Sequence, residues 1–202
     1  MNYLDELNEV QRRAVEATEG PVMIVAGPGS GKTRVLTYRI AHLMQLGVDP
    51  FRILALTFTN KAAAAMRERI EKIVGNEARN LYIGTFHSVF ARILRYEAGR
   101  MGYPSNFSIY DTDDSRSLLK TIIKEQGLND SLYKPATVHN RISSAKNNLI
   151  GPAEYQGDVN IMSDDAAAGR PKIGLLYEQY AKRCFMAGAM DFDDLLFKMY
   201  EL

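Results

Sequence analysis

The stretch Val22–Thr33, V-M-I-V-A-G-P-G-S-G-K-T, constrains the fold of this chain more than any other. The apolar run from Val22 to Val25 has the texture of a buried strand. It breaks into Gly27-Pro28-Gly29-Ser30-Gly31, and Lys32-Thr33 then open a segment of helical period. Glycines let the backbone curl so that successive N–H groups face an anion, and a helix N-terminus adds partial positive charge. The order of strand, glycine loop, Lys-Thr and helix is therefore that of a loop cradling the phosphates of a nucleoside triphosphate. In such a loop Lys32 reaches the β and γ phosphates and the Thr33 hydroxyl sits on Mg²⁺. The strict pattern has Gly where this chain has Ala26.

Composition narrows the setting. The chain has 202 residues, 46% hydrophobic and 24% charged, which allows one or two domains with a sizeable core. No apolar run approaches membrane-spanning length. Asp5 and Glu6 stand where a signal peptide needs an apolar stretch. Cys184 is alone, and His42, His87 and His139 are scattered, so neither a disulfide framework nor a histidine-rich metal site is expected. A cytoplasmic protein fits these features. The net charge of +1 argues neither for nor against nucleic acid.

Taken in order, Asn8 and Gln11 are spaced as a capping box for a helix reaching about Thr18, and Gln11 is read first as a capping residue. After the glycine loop a helix runs to about Leu46 with Val35, Leu36, Ile40, Leu43 and Met44 as its apolar stripe, ending at Gly47. Ile53–Phe58 is a second buried strand, and Thr59-Asn60 cap an alanine-rich helix to Val74. The loop T-F-T-N-K between them sets an aromatic beside hydroxyls, an amide and a cation, a combination that can stack a base on a single strand, although the residues alone favour Phe58 as core and Thr59-Asn60 as a cap only. Leu81–Ile83 is a third strand, ending in Gly84-Thr85-Phe86-His87-Ser88 before another amphipathic helix. Three strand–loop–helix units in a row imply a parallel sheet with its working loops at one edge.

From about Gly102 the texture changes. β patterning nearly stops, and the second half is expected to be a helical lobe. Asp111 caps one helix and Thr137 another. The polar stretch from Gly151 to Gly169 reads as a loop with at most a short helix, Lys172–Ala187 as a helix, and Asp191 caps the last one. Phe185–Met190 is not expected to be a strand because of Gly188. Arg141, Lys146, Asn147 and Asn148 form a basic, amide-rich cluster, expected on a solvated face. Asp191, Asp193 and Asp194 are expected as first-turn helix carboxylates rather than metal ligands. No apolar run ending in Asp-Glu, the acidic element that ATP hydrolysis also needs, is present. The expectation is a piece that stops before its catalytic machinery is complete, leaving Val22–Ala26 with an unpaired strand side.

The ordered stretches L-N-E-V-Q-R-R-A-V, A-G-P-G-S-G-K-T, L-T-F-T-N-K-A-A-A-A-M-R-E-R-I and I-G-T-F-H-S resemble the start of a superfamily 1 DNA helicase of the UvrD/Rep/PcrA type. N-F-S-I-Y-D, I-S-S-A-K-N and D-F-D-D-L-L continue the likeness through the second half. The resemblance implies an α/β fold: a P-loop NTPase (RecA-like) parallel sheet with helices over 1–102, an all-helical inserted subdomain over 103–189, and a return over 190–202. It also accounts for Ala26. It implies ATP and Mg²⁺ as cofactors. Gln11 would recognise adenine, and Ala26, Gly27, Pro28, Gly29, Ser30, Gly31, Lys32, Thr33 and Arg34 would line the nucleotide, with Lys32 and Thr33 catalytic and Thr33 the metal ligand. Thr37 and Arg39 lie close behind the loop; the family carries an arginine near there, without spacing fixing which residue it is. Phe58, Thr59, Asn60, Thr85 and His87 would contact DNA. The implied activity is ATP-dependent 3′ to 5′ translocation on single-stranded DNA and at single/double-strand junctions, performed with the rest of the helicase chain. A small nucleotide kinase and an inactive ATP- or DNA-binding adaptor are the alternatives.

Overall fold

The computed structural model describes residues Tyr3–Leu202. The chain packs as two units, Met1–Val89 and Phe90–Leu202.

In the first unit, a short 3₁₀ turn over Tyr3–Glu6 precedes α1, Glu9–Glu16. The Asn8/Gln11 capping box forms, with Gln11 N donating to Asn8 Oδ1 at 2.9 Å and Asn8 N to Gln11 Oε1 at 3.2 Å. α2 spans Lys32–Gln45 and ends through Gly47, whose φ of 88° suits the left-handed exit from a helix. β1, Leu54–Thr57, leads into α3, Asn60–Val74, where Thr59 Oγ1 accepts from Ala62 N at 3.1 Å. β2, Tyr82–Thr85, pairs with β1 in parallel from Leu54↔Tyr82 to Thr57↔Thr85 and feeds α4, Phe86–Glu97, which runs across the unit boundary. Ile40 and Met44 from α2, Ala55 and Ile83 from the strands, and Met66 and Ile70 from α3 form one core. A smaller cluster joins Leu4, Leu7, Val15 and Val35.

The expected strand at Val22–Val25 does not form. Pro21–Gly27 is irregular, and Met23 and Val25 are each 87% exposed. The sheet of this unit has two strands, not three. A strand exists only through its partner's backbone groups, and no described neighbour pairs with this one. Apolar texture alone does not make a strand.

The second unit also departs from expectation. It is not all-helical: β3, Ser108–Tyr110, and β4, Ala189–Asp191, form a parallel pair, with Met190 fully buried. Between them lie α5 (Thr112–Glu125), α6 (Pro135–Asn147), α7 (Pro152–Gly157), α8 (Val159–Ala167) and α9 (Ile173–Met186), and α10 (Phe192–Glu201) follows. Gly188, expected to break a strand, instead takes φ 59° and turns the end of α9 into β4. The stretch expected as loop holds α7 and α8, because Pro152 and Asp158 start the two helices and Tyr155 and Asp165 are buried as hydrogen-bonded partners. α6 begins at Pro135, not under a Thr137 cap. Asp111 and Asp191 do cap their helices, each in a reciprocal capping box with Asp114 and Asp194. The core is large: Leu119, Ile122, Val138, Ile142, Tyr155, Ile173, Tyr177 and Tyr180 are among its buried residues.

Lys146 corrects the basic-cluster expectation. It is 3% exposed, and its Nζ lies 2.7 Å from both Asp191 Oδ2 and Asp194 Oδ1. Tyr180 donates its hydroxyl to Asp191 Oδ2 at 2.8 Å. Burial opposes charge on Lys146, but the Asp194 and Asp191 carboxylates outweigh it and hold the ammonium above its ordinary range. Burial also works against the Asp191 charge; there Lys146 wins and the carboxyl is held down. Asp194, wholly buried beside Asp191, is pushed up.

Candidate functional site

Around the glycine loop the local geometry is specific. Gly29 and Gly31 have φ of 76° and 86°, a region open to glycine and strained for other residues. Gln11 Nε2 donates to Ser30 O at 3.0 Å, so Gln11 serves both as cap and as a strut on the loop. A Cβ on Gly31 would sit 2.7 Å from Gln11 Nε2. Ser30 Oγ donates to Gly27 O, and Lys32 Nζ donates to Ala26 O and Gly27 O, all at 2.7 Å. The loop is thus curled around the lysine ammonium.

Helices α1, α3, α5, α8 and α10 each begin under a side-chain cap. α2, like α6, α7 and α9, does not: its N-cap is Gly31, with no side-chain cap bond. The first-turn N–H groups of a helix need partners, and an anion at the loop supplies them. The donor set therefore fits a triphosphate, with Lys32 the counter-charge. Thr33, first-turn neighbour of Lys32, is the hydroxyl available to a phosphate-bound Mg²⁺.

Arg34 is engaged elsewhere. It donates to Glu6 Oε2 at 3.0 Å, and its guanidinium lies 5.4 Å from the Tyr38 ring centroid. Tyr38 also donates to Glu6; burial first, then this bond, raises the Tyr38 hydroxyl above its ordinary range. These residues, with Arg69 and Lys72, line a cleft of about 540 Å³. Arg39 instead ties α1 to α2, donating to Ala14 O at 2.9 Å and to Ala17 O. Glu6, Tyr38 and Arg69 were not signalled as site residues by the sequence.

The strand-end residues gather at the carboxyl ends of β1 and β2. Phe58 is 94% exposed and its ring lies 6.4 Å from that of Phe86. Thr85 Oγ1 donates to Ser88 Oγ at 3.0 Å, ordering the start of α4 beside His87. Asn60 opens α3. A second cavity of about 460 Å³ is lined by Lys32, Thr33, Phe58, Thr59 and Arg69, so the glycine loop and the first strand-end loop share one space. Arg69 lines both cavities.

A model of the UvrD/REP helicase N-terminal domain matches residues 7–202. The chain belongs to the UvrD/REP helicase family. It is 49% identical over 195 residues to the ATP-dependent DNA helicase UvrD1 of Mycobacterium tuberculosis, covering 96% of this chain and 25% of that protein. It is 44% identical over 208 residues to the ATP-dependent DNA helicase PcrA of Bacillus subtilis, covering 100% of this chain and 27% of that protein. Against PcrA of Staphylococcus aureus the identity is 41% over 194 residues. The chain spans about a quarter of the length of these curated relatives. Family membership places the mixed α/β architecture, with its short parallel sheets, in a helicase N-terminal domain. No helix among the described residues is long and apolar enough to cross a membrane.

Proposed function

We propose that this chain is the nucleotide- and single-strand-binding N-terminal part of an ATP-dependent DNA helicase. The observation that carries the reading is the loop itself: Gln11 braces Ser30 beside a helix start that lacks a side-chain cap, with Lys32 aimed into the curl. The names of the relatives, ATP-dependent DNA helicases, support ATP as nucleotide and DNA as substrate.

In this reading Gln11 faces adenine, and Ala26, Gly27, Pro28, Gly29, Ser30 and Gly31 wrap the phosphates with their backbone. Lys32 exchanges its bonds to Ala26 O and Gly27 O for phosphate oxygens, and Thr33 ligates Mg²⁺. Arg34, released from or shared with Glu6, borders the nucleotide. The bound Mg²⁺ supplies charge neutralisation of the phosphates. Phe58 stacks a base, while Thr59, Asn60, Thr85 and His87 contact the strand. The organisation is 1–102 as a RecA-like ATP-binding domain, 103–189 as inserted subdomain and 190–202 as return. The 3′ to 5′ direction, the preference for single/double-strand junctions and the cytoplasmic location rest on the family likeness. With the family placed, a nucleotide kinase has nothing further to support it.

The test titrates a fluorescent ATP analogue with Mg²⁺, and separately a labelled oligothymidine, against the chain and its Lys32→Ala and Phe58→Ala variants. The reading requires Lys32→Ala to weaken nucleotide and Phe58→Ala to weaken the strand. Equal binding by wild type and both variants sinks it. Single-strand-stimulated ATP hydrolysis by the longer protein, abolished by Lys32→Ala, separates a motor from an inactive adaptor.

A further inference from the structure

The nucleotide reading gives Glu6 and Tyr38 no role, yet both are joined to Arg34 in a closed contact. Glu6 Oε2 accepts from Arg34 Nη2 at 3.0 Å and from the Tyr38 hydroxyl at 2.5 Å. The Arg34 guanidinium carbon lies over the Tyr38 ring, 5.4 Å from its centroid. Each member therefore restrains the other two. The backbone beneath them is fixed as well. Leu4 and Leu7, on either side of Glu6, are buried with Val15 of α1 and Val35 of α2 in one cluster, which pins the turn Tyr3–Glu6 to both helices.

The side chains of Arg34 and Glu6 are 45% and 60% exposed, and an exposed ion pair adds little to stability. What the contact supplies is orientation. Arginine has a long side chain that loses much freedom when a ligand orders it, and a guanidinium held beforehand removes that loss from the binding step. The place of Arg34 selects the part of the ligand that gains. A Cβ built on Gly31 lies 2.7 Å from Gln11 Nε2 and 3.8 Å from Arg34 Cβ. The stem of Arg34 thus starts near the Gln11 amide, the group read as facing adenine, whereas Lys32 turns back to Ala26 O and Gly27 O. Glu6 bonds an edge nitrogen of the guanidinium, and a flat ring uses its face, so the two can be satisfied together. A carboxylate repels phosphates, so Glu6 can assist only at the base end of a nucleotide.

We propose that Glu6, together with Tyr38, is a positioning residue for nucleotide binding: it holds Arg34 oriented toward the base and does not itself touch the nucleotide. This role rests on the nucleotide-binding reading of the glycine loop.

The test displaces a fluorescent ATP analogue from the chain, in the presence of Mg²⁺, with ATP and with tripolyphosphate, which keeps the phosphates and has no base. Glu6→Ala is expected to weaken ATP by about three- to tenfold, the cost of ordering one long side chain on binding. It should leave tripolyphosphate affinity and the melting temperature unchanged. Glu6→Gln, which keeps an acceptor without the charge, should fall between wild type and Glu6→Ala. Tyr38→Phe, which keeps the ring and removes the hydroxyl, should weaken ATP less than Glu6→Ala. In an Arg34→Ala background Glu6→Ala should have no further effect, because it acts through Arg34. Equal weakening of ATP and tripolyphosphate, tighter ATP binding by Glu6→Ala, or a full Glu6→Ala effect in the Arg34→Ala background overturns the positioning role. If Lys32→Ala weakens both ligands and Glu6→Ala weakens neither, the loop binds nucleotide and only the role of Glu6 is lost. If wild type and Lys32→Ala bind tripolyphosphate alike, the nucleotide reading fails and the role of Glu6 falls with it.

Discussion

The two units solve opposite problems. In the first, the residues with chemistry are exposed: Phe58 stands almost wholly in solvent, Lys32 bonds only its own loop, and the apolar Met23 and Val25 are open. In the second, charge is taken inside, with Lys146, Asp191 and Asp194 buried and mutually bonded and Asp165 buried against Arg141 and Tyr155. A surface that must receive ligands keeps its groups accessible and inexpensive to rearrange. A scaffold fixes its elements with buried polar bonds that are costly to break from one side. The contrast predicts that mutations of the exposed site residues in the first unit change binding with little loss of fold, and that mutations of the buried charge network in the second cost fold.

The largest effect is expected from Lys146→Met. It leaves two carboxylates buried without their counter-charge, at about 3–5 kcal/mol, read by chemical denaturation. The pH dependence should also change: in the wild type the raised Asp194 contributes stability that is present below the unfolded carboxyl range and lost as pH rises, opposing Asp191. In the wild type the lowered Asp191 contributes stability that is present above the unfolded carboxyl range and lost as pH falls through its folded value. Without Lys146, both carboxyls would be raised, so stability should fall as pH rises from about 4 toward 7. A variant that unfolds with the wild-type pH profile would break the comparison.

Gly84→Ala tests packing in the first unit. Its Cβ would lie 2.5 Å from Ser88 Oγ and 2.8 Å from Val89 Cγ2, so a loss of about 1–3 kcal/mol in thermal unfolding is expected. Phe58→Ala should cost a similar 1–3 kcal/mol, but in single-strand affinity only; a matching loss of stability would contradict its exposure. Gln11→Ala removes the reciprocal half of the capping box, the bond from Asn8 N, together with the Ser30 strut, while Asn8 keeps its bond from the residue-11 N–H. It should cost about 1 kcal/mol of stability and a further fraction of nucleotide affinity by equilibrium titration. Smallest of all, Cys184, pushed up to about 12 chiefly by burial, should leave a thiol reagent unreacted at pH 8 until the second unit unfolds.

Much was legible because it is local. Asn8/Gln11, Thr59, Asp111 and Asp191 announced their caps by residue type and spacing, since a cap is a contact within four residues. The glycine loop, the Lys-Thr helix start and the parallel strand pair at Leu54 and Tyr82 followed from short patterns for the same reason. Helices α7 and α8 were missed because Asp165 reads as a polar loop residue until Arg141, 24 residues away, and Tyr155, 10 residues away, supply its partners. The buried Lys146 was read as a solvated cation on the same ground: its carboxylates lie 45 and 48 residues away in sequence.

The sequence by itself determined the family, the glycine loop with its Lys-Thr helix start, and the caps at Asn8, Thr59, Asp111 and Asp191, all of them short-range properties of residue order. Only the tertiary structure decided that Val22–Val25 is not paired, that Ser108–Tyr110 and Ala189–Asp191 form a sheet, and that Gln11 braces Ser30. Each of these depends on whether a distant partner is present. Backbone hydrogen bonds and buried charges are settled by such partners, and no window of neighbouring residues contains them.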